Sequence, residues 1–162
     1  MARALLVGCG CRGRRLGEAL LADGWAIRGT SRRDEGLAAI DAAGIEAARS
    51  DPDRLGTVVE RIGDVTVLAW LMGSASGDAD SASIVNGPRL ESLLERLVDT
   101  PVRGFAYEAR GSVPEAVLEA GATMVEEAAE RWRIPVRILR ADPANPVEWV
   151  ADTHAAMTSL IA

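Results

Sequence analysis

The chain has 162 residues, 48% of them hydrophobic, which suits one globular domain over 1–162 burying roughly two-thirds of its unfolded surface, with no room for a second, substrate-binding domain. Its net charge of −6 argues against a nucleic-acid binder, because such binding rests on neutralising many phosphates. No apolar run reaches the ~18 residues of a membrane span, and the first is followed too quickly by arginines for a signal peptide, so no membrane association and a cytoplasmic location are expected.

Ala4 to Val7 is a short apolar run that reads as a buried strand. It ends in Gly8-Cys9-Gly10-Cys11-Arg12-Gly13, after which Leu16, Ala19, Leu20 and Leu21 form the apolar face of a helix closed near Gly24. Strand, glycine turn and helix in this order match the GxGxxG phosphate-binding pattern, in which each glycine has its own task. Gly8 permits the tight turn, Gly10 lets a pyrophosphate approach the backbone, and Gly13 lets the helix pack closely on its strand. The helix N-terminus offers N–H groups and the positive end of its dipole to the phosphates. A glycine-rich turn without ligand is the alternative. Cys9 and Cys11 read as small residues in this turn, or as a reactive thiol near a helix N-terminus; CxC with no further cysteine makes neither a disulfide framework nor a zinc site.

Trp25 to Thr30 is a second strand, completing a βαβ unit. It runs into Ser31-Arg32-Arg33, where a dinucleotide site meets the adenosine ribose. A cation here takes a 2′-phosphate, so NADP is favoured over NAD, which usually finds an acid at this point; solvated loop charges are the alternative. Residues 1–33 carry seven arginines against Glu18 and Asp23, a balance of +5, while 34–162 carry −11.

Leu37, Ala38, Ile40 and Ala43 mark a second helix, Ile45 to Ala48 a weak third strand, and Leu55, Val58, Val59 and Ile62 a third helix capped by Asp or Ser near Asp51-Pro52-Asp53. Val65 to Met72 is apolar on both faces, as a central parallel strand must be. Gly73 to Gly87, rich in Gly, Ser, Asp and Ala, reads as a long loop that is mobile or part of a site. A helix through Leu90, Leu93, Leu94 and Leu97, a strand from Val102 to Tyr107, a helix from Pro114 to Trp132, a strand from Ile134 to Leu139 and a closing helix from Trp149 to Ile161 follow. Six alternations give a doubly wound α/β domain of the Rossmann type, with sheet order 3-2-1-4-5-6. Its crevice falls where the order reverses, between Gly8–Gly13, Thr30–Arg33 and Leu71, Met72, Gly73 and Ser74.

Val7-Gly8-Cys9-Gly10 through Arg15-Leu16, Gly24-Trp25 and Gly29-Thr30-Ser31-Arg32 together resemble the atypical and extended short-chain dehydrogenase/reductases, the NAD(P)-dependent epimerase/dehydratase group. The resemblance is specific over the first ~33 residues and elsewhere rests on element order. It implies NADP held by Gly8, Gly10, Gly13 and the Arg32 region. Catalytic members of that group place a serine pair after the fifth strand and Tyr-x-x-x-Lys on the next helix. Here the strand end reads Tyr107-Glu108-Ala109-Arg110, the helix from Pro114 has no tyrosine, and all 18 basic residues are arginine. On this resemblance the family mechanism is not expected to operate, and a counterpart of the family's C-terminal substrate region is not expected within these residues.

Tyr107 with Arg110 could supply an acid beside a cation, but residues three apart on a strand face opposite ways, so a tethered core tyrosine is the preferred reading. Glu108 is the more tempting acid because its strand end lines the crevice. His154 reads as a surface or helix-packing residue, and Trp25, Trp70, Trp132 and Trp149 as packing residues, with Trp70 a candidate border of a nicotinamide pocket. No metal site is evident. Two functions stay open: an NADP-binding protein, acting as a sensor or an unconventional oxidoreductase, and a structural or interaction protein that keeps the fold without cofactor. A homo-oligomer fits either.

Overall fold

The computed structural model describes residues 2–74 and 79–162. Its core is a parallel sheet of six strands: β1 (Arg3–Val7), β2 (Ala26–Ser31), β3 (Glu46–Arg49), β4 (Val67–Trp70), β5 (Gly104–Glu108) and β6 (Val136–Leu139). Their order in space is β3-β2-β1-β4-β5-β6, the arrangement expected of a doubly wound Rossmann domain. The connections are α1 (Cys11–Ala22), α2 (Asp34–Ala42), α3 (Leu55–Val59), α4 (Ala79–Val85), α5 (Pro88–Leu97) and α6 (Glu115–Trp132), and α7 (Pro146–Ser159) closes the chain.

The alternation of side chains along each strand divides the core into two layers. Leu5 and Val7 of β1, Leu68 and Trp70 of β4, and Phe105 and Tyr107 of β5 pack with α3, α4, α5 and α6. Ala4 and Leu6, Val67 and Ala69, and Ala106 face the other way, against Leu16 and Leu20 of α1, Ile40 of α2 and Trp149 and Met157 of α7. Register aligns the strand ends: Val7 lies opposite Trp70, and Trp70 opposite Tyr107. The carboxyl ends of β1, β4 and β5 therefore open onto one edge, flanked by α1 and α7.

Two expectations are corrected. The polar stretch before Gly87 is not all loop, because Ala79–Val85 forms α4, with Ala82 and Val85 buried on the sheet; the part of that stretch at 75–78 lies outside the described residues. α3 has no side-chain cap: Arg54 holds the cap position, while Asp51 Oδ1 accepts the Asp53 N–H before the helix begins.

The strands' amino ends are tied by an ionic cluster. Arg28 donates to Glu46 Oε2 at 2.7 Å and Asp64 Oδ1 at 2.7 Å, and Arg3 pairs with the same two carboxylates. These bonds raise the Arg28 pKa above its ordinary value and hold Asp64 below the usual carboxylate range. The cluster lies at the edge opposite the strand carboxyl ends and joins β1, β2, β3 and the turn before β4.

Candidate functional site

A cavity of about 400 Å3 lies over the carboxyl ends of the central strands. Gly8, Cys9, Gly10, Cys11, Arg12 and Gly13 line it from the β1–α1 turn, Thr30, Ser31, Arg32 and Arg33 from the end of β2, and Leu71 and Met72 from the end of β4. Those sequence candidates converge. Gly73 does not line the cavity: it is buried, and its N–H is spent on the Glu108 carboxylate. Arg14, Gly36, Ser50, Asp51, Pro52, Asp53, Ser74, Ser81, Ala82, Val85, Glu108 and Trp149 complete the wall.

The turn glycines have distinct roles, not all as expected. Gly8 has φ +89°, and a Cβ there would sit 2.4 Å from the Leu71 carbonyl oxygen, so the turn admits no side chain. A Cβ at Gly10 would meet nothing within 4 Å, which leaves open space beside the backbone. Gly13 is not the close-packing glycine, since a Cβ there would lie at an ordinary 3.5 Å from Cys9 Sγ. Gly17, one turn later, takes that role, because a Cβ would stand 2.5 Å from Ile45 Cδ1.

The two cysteines sit in different environments. Cys9 is buried beneath Gly29 and its thiol is pushed up to about 12 by burial, with Arg14 acting the other way; Cys11 is exposed at the start of α1. At the end of β2, Thr30 is buried and its hydroxyl faces the Leu6 carbonyl at 3.5 Å. The loop beyond is shaped by the Arg33 N–H donating to Ser31 Oγ at 3.2 Å and by Arg49, which donates to the Arg32 carbonyl at 2.7 Å and pairs with Asp34. Among the described residues no carboxylate pairs with Arg14, Arg32 or Arg33. Asp53, at the same end, is paired with Arg89.

Opposite lies Glu108, 1% exposed at the end of β5. Its Oε1 accepts the Gly73 N–H at 2.9 Å, and its Oε2 accepts the Trp149 indole N–H at 3.0 Å. Arg12 Nη2 is 3.8 Å from Oε2, and the Arg12 guanidinium stacks 5.3 Å from the Trp149 ring centroid. Burial raises the Glu108 pKa; the Gly73 N–H, Arg12 and Trp149 offset this only in part. Trp149, read as a packing residue, is a cavity wall as well. The reverse holds for Trp70, which is fully buried in the α3–α6 layer and does not border the cavity.

Tyr107 lies on the other side of the sheet. Its hydroxyl donates to Asn86 Oδ1 at 2.9 Å, its ring packs on Gly121 of α6, and burial raises its pKa. It is the tethered core tyrosine, and Arg110 pairs instead with Asp142. The only tyrosine is thus shut away from the cavity, and with no lysine in the chain the Tyr-x-x-x-Lys pair has no counterpart. His154 Nε2 contacts Asp23 Oδ2 at 2.5 Å and joins α7 to the end of α1. No group of three or more metal-ligating side chains is gathered among the described residues, and no helix there is long and apolar enough to cross a membrane.

Sheet order, glycine turn and cavity define a Rossmann domain. No protein-family model matches the chain, and no curated protein matches it. Solved structures share its fold. UDP-glucose 4-epimerase of Thermotoga maritima superposes with a TM-score of 0.70 at 14% identity, over 85% of this chain and 54% of that one. UDP-glucuronic acid 4-epimerase of Bacillus cereus in complex with NAD gives 0.69 at 16% identity, over 86% and 56%. Triphenylmethane reductase of Citrobacter sp. complexed with NADP(H) gives 0.63 at 18% identity, over 86% and 49%. The chain spans about half the length of the structures it matches.

Proposed function

We propose that the chain binds a nicotinamide dinucleotide in this cavity, with NADP(H) preferred over NAD(H). The observation that carries the reading is the open space at Gly10, beside the N-terminus of α1 and three guanidinium groups, those of Arg14, Arg32 and Arg33, that pair with no carboxylate among the described residues. A scaffold protein gains nothing from gathering like charges around a cavity, whereas a phosphate-rich ligand neutralises them. Solved structures of the same fold include complexes with NAD and with NADP(H), which agrees with such a ligand.

On this reading the pyrophosphate lies along Gly8–Gly13, where a helix N-terminus supplies N–H donors. Ser31, Arg32 and Arg33 meet the adenosine ribose, and a guanidinium there holds a 2′-phosphate bidentately. Leu71, Met72, Glu108 and Trp149 wall the remaining end. The bound dinucleotide would supply hydride chemistry. Among the described residues, Glu108 is the titratable group at that end able to hold or release a proton, because Tyr107 faces the opposite layer.

Calorimetric titration with NADPH, NADP, NADH and NAD, on the wild type and on Arg32→Ala, tests the proposal. Binding of the phosphorylated pair that weakens selectively in the variant is expected. Equal affinity for NADH and NADPH contradicts the NADP preference, and failure of all four to bind contradicts the function.

A further inference from the structure

Arg12 is the one cation within the glycine turn Gly8–Gly13 and the second residue of α1. Its guanidinium reaches over to the end of β5 and α7, where it stacks on Trp149 at 5.3 Å and stands 3.8 Å from Glu108 Oε2. Charge-assisted N–H···O bonds run to about 2.7–2.9 Å, so Arg12 and Glu108 attract each other without a hydrogen bond. Arg12 Nε is buried with no partner. Glu108, by contrast, is held by two neutral donors, the Gly73 N–H and the Trp149 indole, and keeps its place without Arg12. The carboxylate is therefore fixed and the arginine only restrained. Aromatic stacking orients the planar fork and leaves N–H donors free in the cavity wall.

We propose that Arg12 is a side-chain phosphate ligand of this cavity, held ready on Trp149, and that an incoming phosphate competes with Glu108 for its guanidinium. Arg12 gains bidentate hydrogen bonds to the phosphate in exchange for a long contact to the carboxylate. Glu108 stays where Gly73 and Trp149 hold it and acts on affinity only through Arg12, as a positioning residue. The inference rests on the dinucleotide reading for its natural ligand, yet its chemistry is that of a phosphate alone.

The test uses two probes, NADPH and inorganic pyrophosphate, titrated at pH 8 into the wild type, Arg12→Ala, Arg12→Lys, Glu108→Gln and the double variant Arg12→Ala/Glu108→Gln, with thermal unfolding of each free protein as a check on folding. Losing a charged hydrogen-bond donor weakens both probes about tenfold or more in Arg12→Ala, and Arg12→Lys restores part of this. Glu108→Gln tightens both severalfold, a gain that a damaged site does not produce, and the gain vanishes in the double variant. Wild-type affinity for both probes in Arg12→Ala overturns the inference and leaves the dinucleotide reading standing. Arg12-dependent binding of pyrophosphate with no binding of NADPH does the reverse. Weaker binding in Glu108→Gln overturns the competition. Where that variant fails to fold, the two Arg12 variants decide.

Discussion

Tyr107 and Glu108 are neighbours on β5, yet the Tyr107 hydroxyl donates to Asn86 beneath α6 while the Glu108 carboxylate lines the cavity on the opposite side of the sheet. Strand alternation produces this split, and it divides the two acids that the sequence places side by side into one that holds the fold and one that faces the site. Tyr107→Phe strands Asn86 Oδ1 in a buried place at a cost of about 1–3 kcal/mol. Urea unfolding is expected to show that loss while NADPH affinity stays at the wild-type value. Lost affinity at unchanged stability would return Tyr107 to the site.

The glycines of the first turn and helix separate by what surrounds them. Gly8→Ala meets the Leu71 carbonyl oxygen at 2.4 Å in a left-handed conformation, so it is expected to reduce stability by several kcal/mol or prevent folding. Gly13→Ala meets only ordinary contacts and gains helix propensity, so its stability should match or exceed the wild type. Gly17→Ala makes the same propensity gain but crowds buried Ile45, for a net loss of about 1 kcal/mol. Denaturant midpoints of the three variants test this order.

Thiol chemistry follows burial. Cys11 is exposed in the cavity wall, whereas Cys9 lies under Gly29 with its thiol pushed up to about 12. Iodoacetamide at pH 8 is expected to modify Cys11 and spare Cys9, because the thiolate is the nucleophile. Saturating NADPH should slow the Cys11 reaction. Equal labelling of both cysteines in the folded protein, read by peptide mass spectrometry, contradicts the structure.

Burial raises the Glu108 pKa above its unfolded value, so the folded chain holds that proton more tightly than the unfolded chain. By linkage its contribution is fully present below the unfolded pKa and is lost as pH rises through the folded one. The stability difference between the wild type and Glu108→Gln should therefore shift against the wild type as pH climbs from the ordinary carboxylate range. A difference that shifts in favour of the wild type over this window would mean that the Gly73, Trp149 and Arg12 contacts outweigh burial.

Most of the sheet was legible in the residues. The central strands carry apolar side chains on both faces, as at Val67–Trp70, and the glycine turn marks the first crossover, so the order follows from right-handed connections. α4 was not legible, because Ser, Asp and Ala signal a loop and its helix rests on the burial of Ala82 and Val85. The Gly8–Gly13 and Thr30–Arg33 walls were readable as local motifs. Glu108 was readable at the crevice from its place at a strand end, but its meeting with Gly73 and Trp149 was not, since the three come together across 35 and 41 residues of chain and no local pattern records that. Gly17 was missed because spacing alone assigns close packing to the last glycine of the motif; only the position of Ile45 reveals which glycine carries it.

Titrating NADPH into the wild type and Gly10→Val shows whether the open space at Gly10 holds a dinucleotide pyrophosphate. A valine there has room to fold against nothing and fills the space a phosphate needs. Saturable binding to the wild type is expected, and none to the variant, whose unfolding midpoint stays unchanged. Equal NADPH affinity in the two proteins, or no binding to the wild type, would contradict a pyrophosphate site at Gly10.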